Sequence, residues 1–346
     1  MPQNILIIKP SALGDVATAL PVLTTIRANF PKARISWLVR TEFAPLLEMA
    51  LELDEIILFD RKRLGKWWCN PMVFGELASF LRKLYKSKFD LVIDLQGLFR
   101  TGFFSWVTGS KKRFGMKSSR ELASIFYTNK VGIAREAIHV VDQFLRIASK
   151  AGCKKKVTTA NLVVSDEIEE QVSTLLKQNN VDADYAVFIP TAAHDFKCWP
   201  IGNFAETASS LAAKFSLKVL ATGTATDKVY LDQLITADGS VVNLAGQTNI
   251  KQLVALIKGA KFLLTNDTGP GQIASVLGVP MVMVVGNTNP LRIGPYGRPE
   301  CISAIDPDAR CESIQDPNPD YAVENVTVGM VFEKAVRQIQ KPDTIE

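Results

Sequence analysis

Short apolar runs, rich in β-branched residues, alternate with helix-like stretches from one end of this chain to the other. In the first half the runs read Ile5–Ile8, Ile35–Val39, Glu55–Phe59, Leu91–Leu95 and Arg113–Met116. In the second they read Tyr185–Ile189, Lys218–Thr222, Val241–Asn243, Lys261–Thr265 and Pro280–Val285. Helical periodicity falls between them, near 16–29, 43–50, 72–87 and 139–151, then near 202–214, 226–237, 249–258, 270–278 and 324–340. Near-continuous apolar strands spaced by helices are covered on both faces, which makes the sheets parallel and the crossovers right-handed. Ligands of such sheets bind beyond the carboxyl ends of the strands. With 346 residues the chain exceeds what one core organises, and the polar stretch 153–184 separates two similar halves. The expected fold is therefore α/β: two Rossmann-like domains with parallel sheets facing across a cleft. The domains are expected at 1–160 and 161–325, with a last helix in 326–346 that packs on the second half or crosses back to the first.

Composition is that of an ordinary globular protein, 47% hydrophobic and 22% charged, with a net charge of +5. Three basic clusters lie in the first half: Arg61-Lys62-Arg63, Lys111-Lys112-Arg113 and Lys154-Lys155-Lys156. They suit either an anionic partner or ordinary solvated turns. No aromatic-rich binding motif accompanies them, so a nucleic-acid partner is not expected. The five cysteines (69, 153, 198, 301 and 311) form no Cys-x-x-Cys pair, which argues against a zinc site or disulfide framework and fits a reducing cytoplasm. Two histidines, His139 and His194, are too few for a histidine-based metal centre or triad. No run approaches the roughly 20 apolar residues of a membrane span, and the first apolar run is too short for a signal peptide. A soluble, cytoplasmic protein is expected. Trp67-Trp68, after Arg61–Lys66, suit a membrane interface or a loop packed on the first core.

Two strand-to-helix turns carry chemistry. The stretch Thr265-Asn266-Asp267-Thr268-Gly269-Pro270-Gly271-Gln272 links an apolar run to a helical pattern. Free N–H groups and the positive helix end at such a turn suit a diphosphate, although many α/β proteins use similar turns for packing alone. The other turn is Lys9-Pro10-Ser11-Ala12-Leu13-Gly14-Asp15, after Ile5–Ile8. Asp15 reads equally as a helix-capping acid and as a general base at the sheet edge. No Gly-x-Gly-x-x-Gly follows, so a dinucleotide site is not expected there. Asp182-Ala183-Asp184 and Asp306-Pro307-Asp308 lie in turn-rich sequence and read as surface turns rather than metal sites.

With these turns placed, the chain resembles glycosyltransferase family 9, the lipopolysaccharide heptosyltransferases, and within it the heptosyltransferase I group. The matching motifs run in order along nearly the whole length. They are Lys9–Val16 with Leu20-Pro21, Asp94-Leu95-Gln96-Gly97-Leu98, Arg120–Ser124, Lys197-Cys198-Trp199-Pro200, Asp267-Thr268-Gly269, Gly278-Val279-Pro280 and Gly286–Pro290. The resemblance implies a GT-B fold, with the acceptor in the first domain and the nucleotide-sugar in the second. It implies inverting transfer of heptose from ADP-L-glycero-β-D-manno-heptose to a lipid A–Kdo acceptor, without metal or cofactor, at the inner face of the inner membrane. On this resemblance Asp15 is the base and Lys197 neutralises the donor phosphates. Asp267, Thr268 and Gly269, with Thr191 and Gln272, belong to the donor turn, and Asp227 matches a carboxylate near the ribose or adenosine. Ser11, Gly14, Arg100, Arg120 and His139 fall on the acceptor side, Arg120 equally suiting an ion pair. Three positions depart from the family pattern: Gln272 replaces a usual histidine, Ala192 and Ala193 replace hydroxyl residues, and Thr18 replaces another frequent histidine. They leave open another donor or acceptor within the family. Outside it stand a nucleotide-sugar isomerase and a non-catalytic nucleotide-sugar binding protein.

Overall fold

The structure is a computed structural model that describes residues 1–132, 138–235, 239–311 and 313–340. The end of the helix expected at 226–237 and the last six residues of the 326–346 segment lie outside them. The chain forms two compact units, Met1–Val163 and Val164–Glu346.

In the first unit the elements are β1 (Asn4–Ile8), α1 (Leu13–Asn29), β2 (Arg34–Arg40), α2 (Ala44–Leu47), β3 (Glu55–Phe59), α3 (Arg61–Leu64) and α4 (Pro71–Lys86). They continue with β4 (Leu91–Asp94), α5 (Phe99–Val107), β5 (Arg113–Met116), β6 (Asn129–Val131) and α6 (Val140–Lys150). The six strands are parallel in the order β3-β2-β1-β4-β5-β6. Ile5, Leu6, Ile7 and Ile8 are all fully buried, each contributing on the order of 1.5–3 kcal/mol relative to exposure. Leu6 and Ile8 share one cluster with Val73 and Leu84 of α4 and Phe104 of α5. Strand alternation turns Ile5 and Ile7 to the opposite face.

The second unit runs α7 (Asp166–Gln178), β7 (Tyr185–Ile189), α8 (Ile201–Phe215), β8 (Lys218–Ala221), α9 (Lys228–Leu231), β9 (Val241–Asn243) and α10 (Ile250–Lys258). Then come β10 (Phe262–Asn266), α11 (Gly269–Leu277), β11 (Met281–Val284), α12 (Pro290–Ile293), β12 (Ile302–Ser303) and α13 (Val328–Gln340). Its parallel sheet has the order β12-β11-β10-β7-β8-β9, the same winding as the first. Phe188, Leu264 and Val284 pack with Phe204 and Leu211 of α8 and with Val331 and Ala335 of α13. The last helix thus completes the second unit's core.

Six elements are absent from the sequence reading, the one-turn helices α3 and α12 among them. The helix α5, Phe-Arg-Thr-Gly-Phe-Phe-Ser-Trp-Val, is built from glycine and aromatic residues of low helix propensity, and packing of Phe104 overrides that preference. The polar stretch 153–184 contains a helix, α7, whose single fully buried residue is Val172, so it looked like a linker. The strands β6 and β12 have three and two residues at sheet edges, too short to show a period.

Candidate active site

In each unit the strand order reverses once, between β1 and β4 and between β7 and β10. At such a switch point the flanking loops diverge and leave room for a ligand at the carboxyl edge. Both motif turns emerge at these positions.

In the first unit, Ile8 pairs with Asp94 in register, so the turns after β1 and β4 stand side by side. Asp15 lies in the first turn of α1 with 52% of its side chain exposed. Its Oδ2 accepts from the Ala12 N–H at 3.2 Å and from Lys9 Nζ at 3.3 Å. The carboxylate therefore braces the helix start and still faces solvent, so its capping contact leaves it accessible. Lys9, which the motif contained but the site assignment omitted, is 5% exposed at its side chain. Its Nζ also sits 5.1 Å from the centroid of the Phe144 ring on α6. A buried ammonium with one carboxylate partner fixes where that carboxylate points. Ser11 and Gly14 are half-buried in the same turn. Thr18, the third departure, donates its hydroxyl to the Asp15 carbonyl.

The turn after β4 is organised by Asp94, which is buried. Its Oδ1 accepts from the N–H groups of Gln96 and Gly97, and its Oδ2 accepts from the Tyr127 hydroxyl at 2.8 Å. Burial pushes the Asp94 carboxyl above its ordinary range, against the pull of those bonds. The Tyr127 hydroxyl is pushed up as well, by burial and then by the neighbouring Asp94 charge. A carboxyl raised on folding contributes stability that is present at low pH and lost as pH rises through its folded pKa. Asp94→Asn, which keeps an acceptor for the turn, is therefore expected to be at least as stable as wild type at pH 7. Its advantage should shrink on acidification, as read from thermal midpoints between pH 4 and pH 8. A variant advantage that grows on acidification would overturn this account.

Gly97, at φ +69°, turns the chain toward α5, and its carbonyl accepts from the Arg120 N–H. This sets Arg120, exposed, beside the turn that leads into Arg100. The Arg100 guanidinium lies 5.8 Å from the Phe59 ring. Burial, and then the charge of nearby Arg61, hold it below its usual value, Glu121 acting in the opposite sense. His139 caps α6, with Nδ1 accepting from the Val141 N–H. That nitrogen is committed to the helix, which leaves Nε2 as the ring atom for any other partner.

In the second unit, Thr268 caps α11. Its Oγ1 accepts from the Gly271 N–H and shares a hydrogen bond with Thr265 Oγ1. The Gln272 N–H reaches the Thr268 carbonyl, and Pro270 has no N–H. The Gly269 N–H is the helix-end donor left open among the described residues. In the residues that lead into this helix, Asp267 Oδ2 is 2.5 Å from Lys197 Nζ, at 12% and 22% side-chain exposure. Thr191 Oγ1 donates to Asp227 Oδ2 at 3.4 Å, and the same oxygen accepts from the Thr224 N–H and hydroxyl at 2.7 Å. A Cβ on Gly223 would stand 2.8 Å from that oxygen, which explains glycine there. Gln272 is buried, and its Nε2 donates to the Ile293 carbonyl at 2.6 Å. Its amide nitrogen thus ties α11 to α12, a structural use that the sequence did not reveal.

Two positioning residues lay inside the sequence motifs but were given no role there. Asn266, fully buried, donates to the Pro190 carbonyl and accepts from the Trp199 N–H at 2.9 Å. Trp199, also fully buried, donates its indole N–H to the Val326 carbonyl at 2.7 Å. Together they clamp the Lys197 loop to the end of β10. The available signal was an amide at the end of an apolar strand, Phe-Leu-Leu-Thr-Asn. Among the described residues no group of three His, Cys, Asp or Glu could hold a metal, and no helix is long and apolar enough to cross a membrane.

Two Rossmann-like units of identical winding make up a fold of the GT-B type. One presents a carboxylate and the other a lysine with an open helix end. The sequence profile of Glycosyltransferase family 9 (heptosyltransferase) matches residues 77–322, and the chain belongs to that family. It is 29% identical over 304 residues to Lipopolysaccharide heptosyltransferase 1 of Salmonella typhimurium, covering 86% of this chain and 92% of that protein. A solved structure of the Escherichia coli heptosyltransferase WaaC with ADP matches at a TM-score of 0.77 and 25% identity, covering 97% of this chain and 99% of that one. A glycosyl transferase family 9 structure from Veillonella parvula matches in fold at a TM-score of 0.82 and 21% identity, covering 97% of each chain.

Proposed function

We propose that this glycosyltransferase moves heptose from ADP-L-glycero-β-D-manno-heptose to the Kdo of a lipopolysaccharide inner core, inverting the anomeric centre and using no metal. The first unit takes the acceptor and the second takes the donor. The observation that carries the reading is Lys197, paired with Asp267 in the turn that opens α11 at the β7–β10 switch point. A fixed cation and a helix end together stabilise a departing diphosphate. Asp267 holds the lysine, and on this reading the donor phosphates take over that role. The relative named Lipopolysaccharide heptosyltransferase 1 and the ADP bound in the WaaC structure support the choice of donor.

On this reading the two sites divide the reaction between them. Asp15 accepts the proton of an acceptor hydroxyl as its oxygen bonds to the anomeric carbon. The bond from that carbon to the diphosphate oxygen breaks on the opposite face, and ADP leaves with its charge against Lys197 and the start of α11. Ser11, Gly14, Arg100, Arg120 and His139 orient the acceptor. Thr191, Asp227 and Thr268 position the nucleotide, and Gln272 shapes the heptose side through its remaining carbonyl. The lipid anchor of such an acceptor places the enzyme at the inner face of the inner membrane.

The first test is a thermal-shift series with ADP, UDP, GDP and CMP in the presence of EDTA. A ligand at a hundred times its Kd stabilises the native state by about 2.7 kcal/mol. ADP is expected to raise the midpoint and the other nucleotides are not. A shift with UDP or GDP alone would sink the ADP-heptose donor, and a shift that EDTA abolishes would sink metal independence.

A further inference from the structure

Two exposed tryptophans that the catalytic reading leaves unused, Trp67 and Trp68, sit on a corner of the first unit. Residues 65–70, between α3 and α4, are all exposed, with Trp67 at 47% and Trp68 at 76%. Neither packs on the core. Trp67 meets Phe74, itself exposed, at 6.4 Å between ring centroids, and Met72 adds further apolar surface. The corner is braced from below. Leu64 and Val73, on either side of it, are buried in the first unit's core. Asn70 caps α4 by accepting from the N–H groups of Met72 and Val73, and Asp60 caps α3 by accepting from the Arg63 N–H. Arg63 and Glu76 join the two helices in a two-pronged ion pair. These contacts occupy the acids Asp60 and Glu76, while Arg61, Lys62 and Lys66 are exposed in the same stretch of chain.

We infer that this corner docks the enzyme on an anionic phospholipid surface, with Trp67, Trp68, Met72 and Phe74 entering the headgroup layer. The inference deepens the proposed function and rests on its lipid-anchored acceptor. Contiguous exposed aromatic surface is costly in water and marks an interaction site. Tryptophan favours the membrane–water interface, and flanking cations match anionic headgroups. A purely apolar partner would leave those cations facing nothing. The same corner is linked to the acceptor side, since Arg61 stands close enough to Arg100 for the two charges to act on each other. Docking would bring that edge toward a lipid-held substrate.

The test uses the full chain with vesicles of phosphatidylcholine, with and without phosphatidylglycerol. Wild type is expected to sediment with the anionic vesicles and to shift its tryptophan emission to shorter wavelength, since Trp37 and Trp199 are already fully buried and the exposed tryptophans carry the change. W67A/W68A should bind roughly tenfold more weakly, and K62Q/K66Q roughly fivefold more weakly per charge removed. W67A/W68A should also keep wild-type transfer to a soluble, deacylated acceptor and lose rate only with an acceptor embedded in vesicles. Equal vesicle binding by wild type and W67A/W68A overturns the inference, as does failure of wild type to bind anionic vesicles. A dimer in solution that W67A/W68A dissociates overturns it too, in favour of an interface between copies. If wild type transfers to neither acceptor, the proposed function fails while sedimentation still decides the docking.

Discussion

Asp15→Asn is expected to lower kcat for transfer by roughly a thousandfold while leaving ADP affinity within about twofold. General-base assistance supplies roughly 10²–10⁴ in rate, and the amide cannot take up a proton at working pH. The substitution is nearly isosteric, and Oδ1 of the amide can still accept from the Ala12 N–H that Asp15 now holds at 3.2 Å. What it removes is the charge, and with it the partner of the buried Lys9. A modest fall in stability should therefore accompany the kinetic loss, kept small by the half-exposure of Asp15. Three readouts separate the two roles of this residue. If it were only a first-turn acid, the variant would lose on the order of 0.5–1 kcal/mol of stability and keep its kcat. If it is the base, kcat collapses, ADP titration is unchanged because the donor turn lies in the other unit, and the thermal midpoint moves little. Unchanged kcat for heptosyl transfer would remove Asp15 from the catalytic role.

The sites were legible in the sequence to the extent that their chemistry is local. A strand running into Lys-Pro-Ser-Ala-Leu-Gly-Asp, and another into Asp-Thr-Gly-Pro-Gly, announce a sheet edge with a carboxylate and an anion turn. Parallel winding then places both at switch points, as found between β1 and β4 and between β7 and β10. Long-range partners could not be read this way. Asp94 and Tyr127 meet 33 residues apart, and Trp199 reaches Val326 across 127. Lys9 was visible as a residue, but its burial against Phe144 depends on how α6 packs. Gln272 shows a different limit. Its position in the motif suggested a ligand contact, and the fold adds a bond from its amide nitrogen to the Ile293 carbonyl that the motif did not show. The helix α5 was hidden because phenylalanine, glycine and tryptophan favour other conformations, and only the surrounding core makes a helix of them.

Trp199→Ala is expected to destabilise the second unit by about 3–5 kcal/mol, the usual cost of truncating a buried aromatic, and to weaken ADP binding beyond what unfolding explains. Domain stabilities are about 5–15 kcal/mol, so a loss of this size is a large share of the total. The ring meets Phe204 edge-on at a centroid distance of 5.2 Å, and truncation opens a cavity between α8 and the sheet. It also strands the Val326 carbonyl that the indole N–H now satisfies at 2.7 Å. The functional effect comes from position: Lys197 stands two residues before Trp199, and the side chain anchors the loop that aims the lysine at the helix end. Trp199→Phe separates the causes. It retains most of the packing, loses only the indole donor at about 1–3 kcal/mol, and should stay folded well enough for ADP titration. Urea unfolding is expected to rank wild type above W199F and W199F above W199A. ADP affinity should fall several-fold in W199F, because a loop held by one anchor fewer samples positions in which Lys197 misses the phosphates. If W199F binds ADP as tightly as wild type, the Asn266 amide alone holds the loop, and Trp199 serves the core rather than the site.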